Sequence, residues 1–364
     1  MIVAIDGFEW RDRPTGVGRF LQNLLAALVP AAPEHRFFLF LPAALQDPPD
    51  WPNLTPVVRE HSGGSFRWQN RVLPGLIAAH RCDRLLAPAN VAPFRPGVPT
   101  LLVVHDVSWR GVPGDFSRRE RWALDLRCRW SLRRAAEVAA VSQFSAGEVE
   151  RWYGGRRRGI HVIRHGLQPG LRRAPEQAVA AFRRRHGLSG RTAIGFLGAM
   201  FGRRHIAELL AAVERLRRSR DAVLLLAGPD RSQPPLKAAL DREWVVRLPW
   251  LPEEETALFY SSLDLSCYLS EYEGFGLPPM EALQCGTVPL LLSGSSLSEL
   301  YSGCALFADR PDPDALAAVM EDFLRRPGRK TELLQAWRER EDRFSWEIAA
   351  ERYLRLLFSL ARGH

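Results

Sequence analysis

The densest chemistry in the chain lies in SEYEGFGLPPMEAL, Ser270 to Leu283, where Glu273 and Glu281 flank a Gly-Phe-Gly and a double proline. Residues eight apart on one helix would share a face, but Pro278 and Pro279 cannot occupy a helix interior. The two glutamates therefore belong to different local structures. A helix opening at Pro278 or Pro279 uses proline where it is favoured, and its free N–H groups and dipole form an anion site. Glu281 is expected on the first turn of that helix and Glu273 on the loop before it. Gly274, Phe275, Gly276 and Leu277 lie between them, and glycine there lets backbone approach a ligand closely. The spacing brackets an anion between two acceptors suited to hydroxyl groups.

Other stretches carry compatible chemistry. TGVGR (15–19) joins a strand to a helix, so the amides near Gly16 and Gly18 suit a phosphate. It departs from the G-x-G-x-x-G dinucleotide fingerprint because Leu21 holds the last glycine position. His105 and Asp106 end an apolar strand, a place where polar side chains face ligands. Arg203 and Arg204 follow FLGAMFG, which contains Gly198, at the opening of a helix. Two cations there oppose the helix dipole, a conflict that a bound phosphate would relieve.

These residues need strand ends to present them. MIVAID, RFFLFL (36–41), DRLLAP (83–88), TLLVVH (100–105) and EVAAVS (137–142) read as strands, with helical periodicity over Val17 to Leu28. The stretch HGLQPGLRRAPEQ (165–177) reads as a linker. The same grammar restarts in TAIGFLG (192–198), AVLLLAG (222–228), WVVRLP (244–249), DLSCYLS (264–270) and TVPLLL (287–292), with helices opening near Arg204, Glu253, Pro278 and Ser295. Strands alternating with helices predict two doubly wound parallel-sheet domains, 1–166 and 167–345, whose ligands bind beyond the carboxyl ends of the strands. An amphipathic helix, 346–364, is expected to pack back on the first domain.

Composition bounds the function. A chain of 364 residues fits two domains, and no run of eighteen apolar residues marks a membrane span. Without a recognisable signal peptide the expected compartment is the cytoplasm. The cysteines, Cys82, Cys128, Cys267, Cys285 and Cys304, are scattered and odd in number, which predicts buried free thiols. The net charge of +9 is concentrated: residues 1–166 hold 23 basic and 15 acidic side chains, a balance of +8. That asymmetry fits a phosphorylated substrate or an acidic membrane surface, and nucleic acid is not expected as a partner. Arg118 to Arg134 adds a row of Trp122, Leu126 and Trp130 among seven arginines. The row is expected to face the core, with lipid as the alternative.

With these residues in hand the chain resembles glycosyltransferase family 4, the retaining transferases of GT-B fold. EGFGLPPME is its E-x7-E element, and TGVGR, VVHDVSW, VSQFS, HVIRHG and GAMFGRRHI resemble family segments in their usual order. The resemblance implies two Rossmann-like domains facing a central cleft, the N-terminal one holding the acceptor and the C-terminal one a nucleotide-sugar donor, with no metal or other cofactor. It implies that Glu281 binds the ribose and Glu273 the sugar, and that Phe275, Gly276 and Leu277 meet the sugar and diphosphate through backbone. Arg203 and Arg204 would stabilise the diphosphate leaving group, Gly16 and Gly18 would approach it from the other domain, and His105 would contact the transferred sugar. The expected activity is transfer of a hexose, mannose from a guanosine diphosphate donor ranked first, to a glycan or lipid-linked acceptor. Alternatives are a non-catalytic partner subunit or another GT-B enzyme such as a nucleotide-sugar epimerase. Arg204 stands where the family usually has lysine, His205 where asparagine is common, Gly202 in place of a proline, and RHG (164–166) in place of PNG.

Overall fold

The computed structural model describes residues 1–12, 14–156, 159–236 and 240–359. It divides into two compact units, Met1–Gly166 with Phe344–His364, and Leu167–Arg343.

In the first unit the strands are β1 (Ile2–Asp6), β2 (Arg36–Leu41), β3 (Leu54–Val58), β4 (Arg84–Ala87), β5 (Thr100–Val104), β6 (Glu137–Ala140) and β7 (His161–Val162). They form one sheet in the order β3-β2-β1-β4-β5-β6-β7, parallel throughout. Strands β4 and β5 are buried along their whole length, the continuous apolar signature of a sheet covered on both faces. The order reverses between β1 and β4, the topological switch point where such sheets bind ligands. Strands β3, which carries Pro56 and is only partly buried, and β7, of two residues, are edge elements.

The helix Gly16–Leu28 is capped by Thr15, whose hydroxyl accepts from the Gly18 amide at 3.4 Å, and it buries Phe20, Leu21, Leu24, Leu25 and Leu28. The C-terminal helix Trp346–Ser359 packs against it within the same unit, through Phe20 against Trp346 (5.9 Å between ring centroids) and Tyr353 (6.1 Å). Gly166 is required at this junction. A Cβ there would lie 2.4 Å from the Trp346 backbone nitrogen.

In the second unit β8 (Thr192–Leu197), β9 (Ala222–Ala227), β10 (Val245–Leu248), β11 (Leu265–Tyr268), β12 (Pro289–Leu292) and β13 (Leu306–Ala308) form a parallel sheet in the order β10-β9-β8-β11-β12-β13. Its switch point falls between β8 and β11. The five cysteines are all buried and unpaired as disulfides. Asp312 caps the helix Pro313–Arg325, accepting from the Ala315 amide at 2.9 Å. Among the described residues no helix is long and apolar enough to cross a membrane.

The expected inward row on Arg118–Arg134 is corrected by the structure. Cys128, Ser131 and Leu132 form the buried side, while Trp122, Leu126 and Trp130 are 71%, 47% and 42% exposed. Apolar spacing alone reports that a row shares one face; here a second, more C-terminal set of smaller residues meets the sheet.

Candidate active site

In the second unit the loops after β8 and β11 meet at the switch point, and the charged residues gather there. Arg204 Nη2 lies 3.1 Å from Glu273 Oε1 and its Nε 3.3 Å from the same oxygen, while Nη1 donates to the Ala199 carbonyl at 2.7 Å. That oxygen also accepts from the Ser270 hydroxyl at 2.9 Å and the Tyr268 hydroxyl at 3.0 Å. The two charged side chains are 12% and 14% exposed. Burial pushes the Glu273 carboxyl upward, but Arg204, Arg203 and the two hydroxyl donors outweigh it, so its pKa lies below the ordinary value and the group stays ionised.

Aromatic rings hold the cations. The Arg204 guanidinium carbon sits 4.9 Å from the Tyr268 ring centroid, and that of Arg203 4.6 Å from the Phe201 ring. Tyr268, the last residue of β11, thus touches both members of the pair. Its place in DLSCYLS marks it as a strand residue, and the signal of a further role is a hydroxyl-bearing side chain at a strand's carboxyl end. Arg203 and Arg204 lie on a tight turn, Gly202–Arg204, ahead of the helix Ile206–Leu216, with left-handed His205 (φ 50°) between them. Only His205 separates the arginines from the helix, so they stand just outside its first turn and the expected conflict with its dipole is reduced, with Arg204 further offset by its pairing to Glu273. His205 pairs with Glu271 at 2.8 Å.

Glycines set the floor of the site. Gly198 has φ 141°, and a Cβ on it would stand 3.0 Å from Arg204 Nη1; a Cβ on Gly228 would strike the Gly198 carbonyl at 2.2 Å. Gly276 has φ 85°, and a Cβ there would lie 2.6 Å from Leu297 Cδ2. The Glu273–Gly276 loop is clamped by the helix Ser295–Tyr301: Ser296 Oγ donates to the Glu273 carbonyl at 2.7 Å and Tyr301 Oη to the Gly276 carbonyl at 2.6 Å. Neither clamp was anticipated, since each joins residues more than twenty positions apart.

The helix after this loop runs Leu277–Gln284, with Pro278 and Pro279 in its first turn. Glu281 is its fifth residue, one or two positions later than expected, at the start of the second turn. It is buried, and Tyr260 Oη donates to its Oε2 at 3.1 Å. Gly274 and Phe275 are buried and Leu277 is half-buried.

The first unit has a different polar cluster. His105 follows β5, is buried, and donates from Nε2 to the Pro88 carbonyl at 2.8 Å. Its backbone amide donates to Asn90 Oδ1 at 2.6 Å. Burial lowers the pKa of His105, and burial followed by the nearness of His105 lowers that of His165 well below its ordinary value. The rings stand 5.7 Å apart, and His165 stacks on Trp346 at 5.6 Å. His165 thus belongs to the packed interior of the first unit, although the sequence placed it in a linker. Asp6, at the end of β1, accepts from Trp68 Nε1 at 2.8 Å and Gln69 Nε2 at 3.0 Å, and burial nevertheless raises its pKa. Arg127 donates to Gln69 Oε1 at 2.9 Å, extending the network. A hollow of about 350 Å³ beside it is lined by Phe8, Trp10, Arg11, Asp12 and His61, among others.

At the TGVGR segment, a Cβ on Gly18 would lie 2.5 Å from the Glu9 carbonyl, whereas Gly16 has open space around it. Gly18 is thus needed for local packing, and its amide serves the Thr15 cap.

Comparison with known proteins gives the family and the fold. The family model described as Glycosyltransferase Family 4 matches residues 14–170, and that described as Glycosyl transferases group 1 matches residues 179–343. The chain belongs to glycosyltransferase family 4. It is 28% identical over 271 residues to an MMP alpha-(1->4)-mannosyltransferase of Mycolicibacterium hassiacum, covering 70% of this chain and 64% of that protein. It is 32% identical over 165 residues to O-antigen chain mannosyltransferase B of Escherichia coli, covering 42% of each. The matched region therefore spans less than two thirds of either relative's own length. The crystal structure of Anabaena HepE in complex with UDP and glucose superposes with a TM-score of 0.77 over 99% of both chains at 17% identity, which shows the GT-B fold.

Proposed function

We propose that this family 4 member is a retaining hexosyltransferase that takes its sugar from a nucleotide-diphosphate donor. The observation that carries the reading is the ionised Arg204–Glu273 pair, held by Ser270 and Tyr268 beside Arg203 at the switch point of the second unit. A diphosphate leaving group needs fixed cations as the bond from sugar C1 to phosphate oxygen breaks, and preorganised charge in a poorly hydrated site is worth most there. Arg203 and Arg204 supply that charge, without a metal ion in this reading.

Glu273 orients the sugar through its hydroxyls and Glu281 accepts from the ribose. The acceptor oxygen attacks C1 on the face the phosphate leaves, and its proton passes to the departing phosphate oxygen. Configuration is retained without a covalent glycosyl-enzyme, whose formation would need Glu273 against the opposite face. Gly198, Gly274, Phe275, Gly276 and Leu277 bring backbone to the donor. His105 contributes chiefly by shaping the backbone at the end of β5, since its Nε2 is committed to Pro88.

Mannose from guanosine diphosphate is ranked first, and the names of two relatives as mannosyltransferases support the sugar. The acceptor is a glycan or lipid-linked sugar of cell-surface polysaccharide or glycolipid synthesis, made from the cytoplasm. The hollow beside Trp10 and Asp12 supports a polyhydroxylated acceptor, because aromatic faces and a carboxylate are the groups that grip sugar rings.

The test is release of nucleoside diphosphate from a panel of nucleotide sugars, with a chelator and with and without crude lipid-linked glycan acceptors. Turnover of GDP-mannose above the others, lost in Glu273→Ala, is expected. Release by none of the donors would favour a non-catalytic partner subunit.

A further inference from the structure

Four of the large apolar side chains that stand exposed among the described residues share one face of the first unit: Phe66, Trp122, Leu126 and Trp130. Phe94 joins them into one surface, its ring 5.7 Å from Phe66 and 5.6 Å from Trp130, and its carbonyl accepts from Trp130 Nε1 at 3.2 Å. Trp122, Leu126 and Trp130 succeed each other at four-residue spacing, so they form one row along the helix Arg118–Arg134.

The row is rigidly presented. A capping box of Ser117 and Glu120 fixes the start of the helix, and Cys128, Ser131 and Leu132 anchor its other side. Arg127 bonds Gln69 and lies 5.4 Å over the Phe66 ring, tying the helix to the neighbouring turn.

The rim of this surface is cationic. Arg118 and Arg119 stand one turn before Trp122, Arg133 and Arg134 one turn after Trp130, and Arg67 and Arg95 adjoin Phe66 and Phe94; all six are exposed. The carboxylates of the helix are already engaged, Glu120 in the cap and Asp125 with Arg110 at 2.6 Å. An exposed tryptophan-leucine row between arginines matches a bilayer interface, where indole rings seat at headgroup depth and guanidinium groups meet lipid phosphate.

We infer that this face docks on the surface of an anionic phospholipid leaflet. Leu126 lies between the two tryptophans and offers nothing for a base to stack on, which favours acyl chains over nucleic acid. The inference goes beyond the proposed transfer reaction and does not depend on it.

Cosedimentation of the full chain with vesicles tests it. Binding to phosphatidylcholine containing about one third phosphatidylglycerol is expected to exceed binding to phosphatidylcholine alone by at least about tenfold, and to weaken as salt rises. The double variant Trp122→Ala, Trp130→Ala is expected to lose at least about tenfold in vesicle affinity. So is the quadruple change of Arg118, Arg119, Arg133 and Arg134 to glutamate. Each variant should keep its far-ultraviolet circular dichroism, and Ile348→Ala, on an exposed position of the C-terminal helix, should bind like the parent. Equal binding to both vesicle types, or variants that bind as the parent does, would overturn the proposal. A dimer that Trp122→Ala, Trp130→Ala dissolves, with no vesicle binding, would do the same and assign the face to a second copy.

Discussion

The two units are built alike and finished differently. Each is a doubly wound parallel sheet with polar residues gathered at the carboxyl ends beside its switch point, yet the second unit keeps those residues ionised and the first pushes them toward neutrality. Glu273 lies below its ordinary pKa because two arginines and two hydroxyls outweigh burial. Asp6 lies above its own, and His105 and His165 below theirs, because in each case burial wins. The same fold can therefore hold the polar residues beside its switch point ionised or push them toward neutrality. The choice rests on a few arginines placed within reach of a carboxylate.

The largest way to break this contrast is to remove the charge pair. Glu273→Ala or Arg204→Ala should lower kcat by about 10²- to 10³-fold, about 3–4 kcal/mol of transition-state stabilisation. Arg204→Lys should fall between them and the parent, since it keeps the charge and loses the two-nitrogen contact. Steady-state kinetics with the preferred donor decide this; parental rates in either alanine variant would remove the pair from the mechanism.

Acid probes the opposite character of the first unit. Below about pH 6.5 the unfolded chain takes up protons that buried His105 and His165 refuse, so it binds more protons than the folded chain. Stability is present above that pH and falls as pH drops from it toward the folded values, by up to about 1.4 kcal/mol per pH unit for each histidine. Thermal melts from pH 8 to pH 5 should show the loss, and His165→Phe should flatten its slope. Glu273 has the same sign in a more acid window: its contribution is present above the ordinary glutamate range and is lost as pH falls from there through its lower folded value.

A steric change should cost less. Gly166→Ala forces a methyl against Trp346, and about 1–3 kcal/mol of stability should be lost, read as a lower melting temperature and faster proteolysis of the C-terminal helix. The smallest change sharpens the contrast most finely. Tyr268→Phe keeps the ring packed on Phe196, 5.9 Å away, and removes one donor to Glu273. It should lower kcat by about fivefold to tenfold, near 1 kcal/mol, and move the acid limb of the pH-rate profile upward. An unmoved acid limb would mean that the hydroxyl does not tune the carboxylate.

Much of this architecture was legible in the sequence because parallel strands are buried on both faces and read as unbroken apolar runs. Both sheets could be sketched that way, as could the loop and helix that separate Glu273 from Glu281. The strands β3, β7 and β13 were not seen. LTPVV carries a proline, while β7 and β13 have two and three residues, so their pairing is decided by neighbours and not by their own pattern. The row on Arg118–Arg134 faces outward, against expectation, because periodicity gives a face without saying what lies against it. The supports of the site were illegible for a related reason. Tyr301 reaches Gly276 and Trp68 reaches Asp6 across 25 and 62 residues, distances over which spacing carries no signal.

Whether the arginine-glutamate pair of the second unit receives a nucleotide diphosphate is decided by calorimetric titration in the presence of a chelator. The full chain and its Arg204→Ala variant would be titrated with the diphosphates of guanosine, uridine, thymidine and adenosine. Micromolar binding of one of them, guanosine diphosphate first, is expected, weakened at least about tenfold by the substitution. Binding of none, or binding that Arg204→Ala leaves unchanged, would contradict it.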